Sequence, residues 1–474
     1  MSDLTPAPPL LPRLARNATA QFAARLTASL AQALALVLVA RTLGPSTYGL
    51  FAIVTTLTVM ATVVAEWGLP LIATRLIAGG GLEARSVLAA LLGLRLALGF
   101  LAGLSVVALS FAASDSGAVH LGAAIAGLSF LPLAWLGSAQ IQAQLDLRLE
   151  RTAWAALGGG IAGLAWTLGA LAADAGVPTL AAGLLVNAVA AAVVGVALTP
   201  RGLPLWPRVE RALWRRLLRE ATPLALSSVC VAVYFYVDIA LLARLSTSSQ
   251  VGLYDAAYRF MLLGILLPSA VVTSVYALAT ELAATDRERF GELARELLSL
   301  SALLLPLPVI VLCADPEGVL RLLYGDAFAG GAPALRWLGA GIALTIASGV
   351  VGPLLTAVGQ ERATLRIGVV AVVFNVAANL VLIPWLDAEG AAIATLATEA
   401  VVLAQALWLL AVRGGVVYDV RQLARVGVAG AGGLAVAMLL DGVVLSACAG
   451  VAAYLLLGLL TGALSRRQLE LTRG

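Results

Sequence analysis

"VARTLGPSTYGLFAI", residues 39–53, returns as "LARLSTSSQVGLYDA", residues 242–256, with Ala40/Ala243, Arg41/Arg244, Ser46/Ser249, Gly49/Gly252 and Leu50/Leu253 in register. Each copy lies between two long apolar runs and follows the first run of a set of six. A duplicated six-span unit is therefore the reading that decides the fold. In the first copy Gly44 and Pro45 end a helix, because glycine accepts a left-handed backbone and proline lacks the amide that a helix interior needs. Arg41 and Arg244 then stand at the membrane surface, and Gly49 and Gly252 open the next span.

The chain around the motif belongs in a bilayer. Its 474 residues are 61% hydrophobic and 12% charged, with mean hydropathy +0.98, where soluble domains are about half apolar and about a quarter charged. The apolar runs are about twenty residues or longer, enough at about 1.5 Å per residue to cross a core of about 30 Å as helices. Breaking them at Gly, Pro and charge clusters predicts fourteen spans near residues 20–40, 49–72, 86–112, 118–145, 152–173, 178–198, 222–245, 252–280, 296–314, 333–357, 363–384, 389–411, 424–440 and 442–463. The expected fold is an all-α polytopic membrane protein: a first lobe over 1–198, a basic cytoplasmic connector over 199–221, a second lobe over 222–412, and two extra helices with a tail over 413–474.

All 30 basic residues are Arg, and they alternate by side. With Arg13 and Arg16 holding the amino terminus in the cytoplasm, the opposite face receives only Arg41, Arg244, Arg321 and Arg336, while Arg25, Arg95 and Arg259 fall inside spans. The positive-inside rule then supports an even number of spans with both termini cytoplasmic. The first apolar stretch, running to about residue 40, is too long for a signal-peptide core and reads as a retained span. Both six-span units begin with the same orientation, which predicts parallel repeats about an axis along the membrane normal, the duplication that transporters rock around a central cavity. The connector "PRGLPLWPRVERALWRRLLREATP", residues 200–223, carries six Arg and two Trp; it reads either as a helix lying on the anionic inner leaflet or as a linker that only fixes orientation.

Several function classes drop out. The net charge of +4 is topological, with no soluble basic domain to meet nucleic acid. Cys230, Cys313 and Cys448 are isolated, His120 is the single histidine, and neither a metal site nor a nucleotide loop GxxxxGK[ST] can be assembled, so no cofactor is expected. A membrane glycosyltransferase or ligase would need acidic or His groups on a large outer loop, and the longest such connection, residues 314–331, offers no paired site.

Beyond the opening motif, "AEWGLPLIATRLIA" (65–78), "VDIALLARLSTSSQVGLYDAAYRF" (237–260), "LLYGDAFAGGAPALRWL" (322–338) and "NVAANLVLIPWLDAEGAAIATLATEA" (375–400) follow in order. In these blocks, which span roughly residues 14–412, the chain resembles the Wzx-like oligosaccharide flippases, the polysaccharide-transport branch of the multidrug/oligosaccharidyl-lipid/polysaccharide exporter superfamily. The resemblance implies two lobes of six helices around a central cavity. It also implies a polyprenyl-diphosphate-linked glycan as substrate, moved from inner to outer leaflet, with membrane lipids and polysaccharide polymerase or assembly proteins as partners. The last two spans are an addition that some members have. A drug or small-molecule cation antiporter of the same superfamily is the first alternative, and a polyprenyl-dependent membrane glycosyltransferase or ligase the second.

Charges inside the spans are the candidate site. An Arg at a helix centre costs about 2.5 to 3.5 kcal/mol on insertion scales and faces a cavity or a partner. Arg95 and Arg259 lie too deep to reach water easily, whereas Arg25 is close enough to the interface to snorkel. A guanidinium donates paired hydrogen bonds to phosphate and stays charged. The resemblance adds that cationic residues in the first and eighth helices hold substrate phosphates, which by position are Arg25 and Arg259. Glu66, Asp238, Asp255, Glu281 and Glu399 are candidates for gating or for a coupling cation, although Asp255 and Arg259 are also spaced i, i+4 for a simple ion pair. Asn375 and Asn379 share a face and read as packing amides.

Overall fold

The computed structural model describes residues 10–80, 83–199, 203–416 and 418–463, with side chains for all of these except 10–33, 262–263 and 265–274. Among the described residues the regular structure is helical. In chain order the helices are α1 (Leu10–Glu66), α2 (Leu69–Ala78), α3 (Ala84–Ala113), α4 (Gly117–Gly127), α5 (Phe130–Leu145), α6 (Glu150–Ala172), α7 (Val177–Ala197) and α8 (Arg211–Leu245). There follow α9 (Ser248–Thr285), α10 (Arg287–Leu304), α11 (Pro306–Cys313), α12 (Pro316–Tyr324), a 3-10 turn at Asp326–Gly331, α13 (Ala332–Ala357), α14 (Glu361–Gly414), α15 (Val420–Met438) and α16 (Val443–Leu460). Ten described helical runs are long and apolar enough to cross a membrane. Every one of the fourteen expected spans coincides with helix, so the chain is an all-α polytopic membrane protein.

The breaks follow local chemistry. α1 leaves the helical region at Gly44 (φ 69, ψ 172) just before Pro45, and α1 and α2 are separated by Trp67 and Gly68, both at positive φ. In α14 the helix continues through Pro384 and breaks instead at Asp387 (φ 49, ψ −126). Side-chain caps start several helices of the second half: Thr247 accepts from the Gln250 amide (3.3 Å), Asp286 from Arg289 (3.1 Å), Asp315 from Gly318 (2.8 Å) and Asp419 from Arg421 (3.0 Å).

The chain forms two compact units, Met1–Thr42 with Leu50–Ala232, and Leu43–Gly49 with Val233–Gly474. In the first unit, α3 meets α4 where Gly103 faces Gly127, and a core of Leu69, Ile72, Leu88, Leu91, Leu213 and Leu217 joins α2, α3 and α8. The connector is thereby built into this unit. Its helical part is the start of α8, Trp214 donates through Nε1 to the Ala90 carbonyl (2.7 Å), and the Arg208 amide donates to Ala89 (2.9 Å). The apolar face drawn from the sequence as meeting a leaflet therefore covers protein, leaving Leu205, Trp206 and Val209 exposed ahead of the helix. In the second unit, α15 and α16 seat on α10 and α11 through Ile310, Ala429, Ala437 and Tyr454, whose hydroxyl donates to the Leu303 carbonyl (2.7 Å).

The seven-residue segment Leu43–Gly49 groups with the second unit because the two copies of the opening motif pack on each other. A Cβ on Gly49 would lie 2.9 Å from the Gly252 amide nitrogen, and one on Gly252 would lie 3.1 Å from that of Gly49. The same two hypothetical carbons would collide with the carbonyl oxygens of Ser248 and Pro45, respectively. Pro45 and Ser248 are themselves equivalent positions of the repeat, so the crossing is locally two-fold. Ser46 and Ser248 close it with a hydroxyl contact of 3.1 Å.

Candidate functional site

Three polar constellations lie inside apolar helices. In the first unit Arg95 of α3 is 6% exposed, and its Nε and Nη1 are buried without a hydrogen-bond partner. Its guanidinium rests on α5 at Gly137, where any Cβ would fall on the guanidinium itself. The group borders a cavity of about 100 Å³ whose wall includes Thr62, Glu66, Phe130, Leu133 and Gln140. Glu66, at the end of α1, shares that wall but makes no ion pair with Arg95 among the described residues. A buried delocalised cation with two donors free of hydrogen bonds has the charge and the geometry to receive an anion.

In the second unit Asp255 of α9 gathers three donors on one oxygen. Its Oδ2 accepts from the Tyr48 hydroxyl (2.6 Å), Arg259 Nε (3.1 Å) and Arg259 Nη2 (2.9 Å). The Asp255 side chain is 3% exposed and that of Arg259 29%, so the ion pair is buried on its acidic side and open on its basic side. Tyr48 comes from the segment next to Gly49, and its ring meets Phe328 edge-on at 5.8 Å between centroids. The crossing of the two motif copies thus delivers the hydroxyl that helps to hold the Asp255–Arg259 pair.

The third constellation surrounds Asp238 of α8, 1% exposed, with neutral donors only. Oδ2 accepts from Thr395 (2.7 Å) and Tyr254 (2.9 Å), and Oδ1 from the Asn379 amide (3.0 Å). Asn379 also donates to Asn375 Oδ1 (3.1 Å), and its own Oδ1 is buried with no partner. Glu399, 2% exposed, lies on the same helix as Thr395 and accepts from the Tyr234 hydroxyl. The asparagine face read as packing is therefore part of a carboxylate network across α8, α9 and α14.

Of the other residues picked out by sequence, the Arg25 side chain lies outside the described residues. Arg41 and Arg244 are exposed at the ends flanking the motif crossing, and Glu281 is exposed on α9. Sequence reasoning missed Tyr48, Tyr234, Tyr254 and Thr395. Their signal was a hydroxyl on an apolar helix, which acquires meaning only when a carboxylate from a distant helix is placed against it. No group of three or more His, Cys, Asp or Glu that could hold a metal ion occurs among the described residues.

Comparison with known proteins agrees with this architecture. Among curated proteins, "Probable flippase AglR" of Haloferax volcanii is 29% identical over 174 residues, 34% of this chain and 35% of that protein. "Probable low-salt glycan biosynthesis flippase Agl15" of the same organism is 24% identical over 188 residues, 40% of each chain. The matches thus span well under half the length of these relatives. A solved structure described as "Lipid II flippase MurJ, inward closed conformation" superposes with TM-score 0.77 at 14% identity, over 92% of this chain and 97% of that one. An inward-facing multidrug resistance MATE family transporter of the MOP superfamily gives TM-score 0.67 at 15% identity, over 80% of this chain and 93% of the other. These likenesses establish a transporter-type fold. The profile of the family described as "Polysaccharide biosynthesis protein" matches residues 14–277, more than half of the chain, and the protein belongs to that family.

Proposed function

We propose that this protein is a flippase of the bacterial-type cytoplasmic membrane that carries a polyprenyl-diphosphate-linked oligosaccharide from the inner to the outer leaflet by alternating access, for cell-surface polysaccharide assembly. The observation that carries the reading is Arg95, whose buried guanidinium has two unpartnered donors beside a polar cavity. Glu66 in the same wall acts on this cation without hydrogen-bonding it, and idle donors on a buried charge are costly, so the pocket suits an anion that comes and goes. A diphosphate supplies the matching oxygens, and Arg259 of the second unit and Arg25, by the family resemblance, are the further candidates for holding substrate phosphate. Arg259 keeps its open side for the substrate while Asp255 orients it from behind.

Asp238 and Glu399 supply the coupling element. A carboxylate ringed by hydroxyls and amides can trade their hydrogen bonds for a proton or a monovalent cation, and Asn379 Oδ1 is a spare ligand beside it. An inside-negative potential also favours outward movement of a negative head group, by about 2.3 kcal/mol per charge per 100 mV. The names of the curated relatives support the flippase reading.

The test is reconstitution of the full chain in liposomes carrying a fluorescent short-chain polyprenyl-diphosphate saccharide, with a membrane-impermeant quencher added outside. The wild type is expected to equalise the probe between leaflets faster than protein-free liposomes. A rate equal to that of protein-free liposomes refutes the function.

A further inference from the structure

Helix α10 starts charged, through Arg295 and Glu296, and is apolar from Leu297 onward. α15 makes the same change, from its cap Asp419 and from Arg421 and Arg425 to a small-residue and valine run. Where two neighbouring membrane helices switch from charged to apolar together, head groups meet acyl chains. At that level a cleft of about 320 Å³ separates the two helices, walled by Arg295, Glu296, Tyr418, Asp419 and Gln422, with Leu423 toward the apolar end.

The charges in this cleft do not satisfy one another. Arg295 uses Nε on the Gly291 carbonyl (3.0 Å) and forms no ion pair with Glu296 or Asp419. Asp419 commits Oδ1 to the Arg421 and Gln422 amides (3.0 and 3.2 Å), which leaves Oδ2 for the cleft. Gln422 Nε2 is buried without a hydrogen-bond partner. A fitting ligand must bring an acceptor to Arg295 and Gln422, a hydrogen-bonding cation to Glu296 and Asp419, and an apolar body past Leu423.

A phospholipid with a primary-ammonium head group meets all three demands. A quaternary ammonium cannot donate a hydrogen bond to either carboxylate, and a glycerol head group brings no cation. We infer that the α10–α15 cleft is a binding site for an aminophospholipid, phosphate against Arg295 and Gln422 Nε2, ammonium between Glu296 and Asp419. Tyr418 is held in the wall by its hydroxyl bond to the Leu407 carbonyl (3.1 Å). Leu298, Ala302 and Leu423 give the cleft its apolar wall for the acyl chains. The site is separate from the transport residues and lies within the second unit, between α10 and α15.

The experiment is native mass spectrometry of the full chain released from nanodiscs of equal phosphatidylethanolamine, phosphatidylcholine and phosphatidylglycerol. The wild type is expected to retain phosphatidylethanolamine over either competitor by about fivefold, the scale of one partly exposed charge pair. In Glu296→Gln/Asp419→Asn, which keeps a capping side chain on α15, the preference should fall below about twofold while total lipid retention persists. Arg295→Gln should lower retention of all three lipids. A different ranking in the wild type, survival of the preference in the double variant, or no retained phospholipid overturns the assignment, and a melting curve in the same discs confirms that each variant is folded.

Discussion

Arg95 and Gly137 pack as one unit at the scale of single residues. The guanidinium occupies the space that any other side chain at 137 would take. Gly137→Ala is expected to cost about 1–3 kcal/mol by overpacking and to slow transport as severely as removing the Arg, read as flipping rate beside the melting temperature. Transport at wild-type speed with a displaced Arg95 would remove that residue from the site. Asp238→Asn keeps the size of the side chain but removes one acceptor and the charge that a proton or cation would answer. Its transport should lose any dependence on an imposed ion gradient, and a gradient response equal to the wild type would exclude Asp238 as the coupling group. Arg95 was legible in the sequence because so few charges lie in the spans, and the Asp255–Arg259 pair because of its i, i+4 spacing. Tyr48 was not legible, since it is 207 positions from the aspartate it serves, and no local rule joins them. Nor could spacing show that Asn379 turns its amide to Asp238, a contact 141 positions apart.

At the scale of helices, the two copies of the opening motif cross at Gly49 and Gly252 with no room for a side chain. Gly252→Ala forces the segment carrying Pro45 away, with an expected loss of about 1–3 kcal/mol. Because Tyr48 would move with that segment, the Asp255–Arg259 pair should loosen in the same variant. Thermal unfolding measures the first effect, and hydrogen exchange around α9 the second. A variant as stable as the wild type would show that the crossing is not under steric constraint. The spans themselves were readable from hydropathy, which depends only on local composition. The internal breaks were less so: α14 carries Pro384 without interruption and breaks at Asp387, whose backbone is fixed by surroundings that composition does not record. The connector illustrates the same limit. Its amphipathic face was visible, but amphipathicity does not say whether protein or lipid covers it, and here Leu213 and Leu217 are buried in the first unit.

At the scale of the whole molecule, the chain divides into two compact units, and the two copies of the fifteen-residue echo meet inside the second of them. The units divide the chemistry between them: an unpaired cation in the first, and paired and networked carboxylates in the second. In the proposed cycle the first attracts the diphosphate and the second couples its movement to an ion or to the membrane potential. The flipping assay with paired Arg95 variants tests that central claim most directly. Arg95→Ala should reduce the initial rate for the polyprenyl-diphosphate probe at least about tenfold, the equivalent of about 1.4 kcal/mol. Arg95→Lys should recover only part of it, because an ammonium cannot make the paired contact. Undiminished flipping by Arg95→Ala, in protein shown to be folded and correctly inserted, would contradict the account.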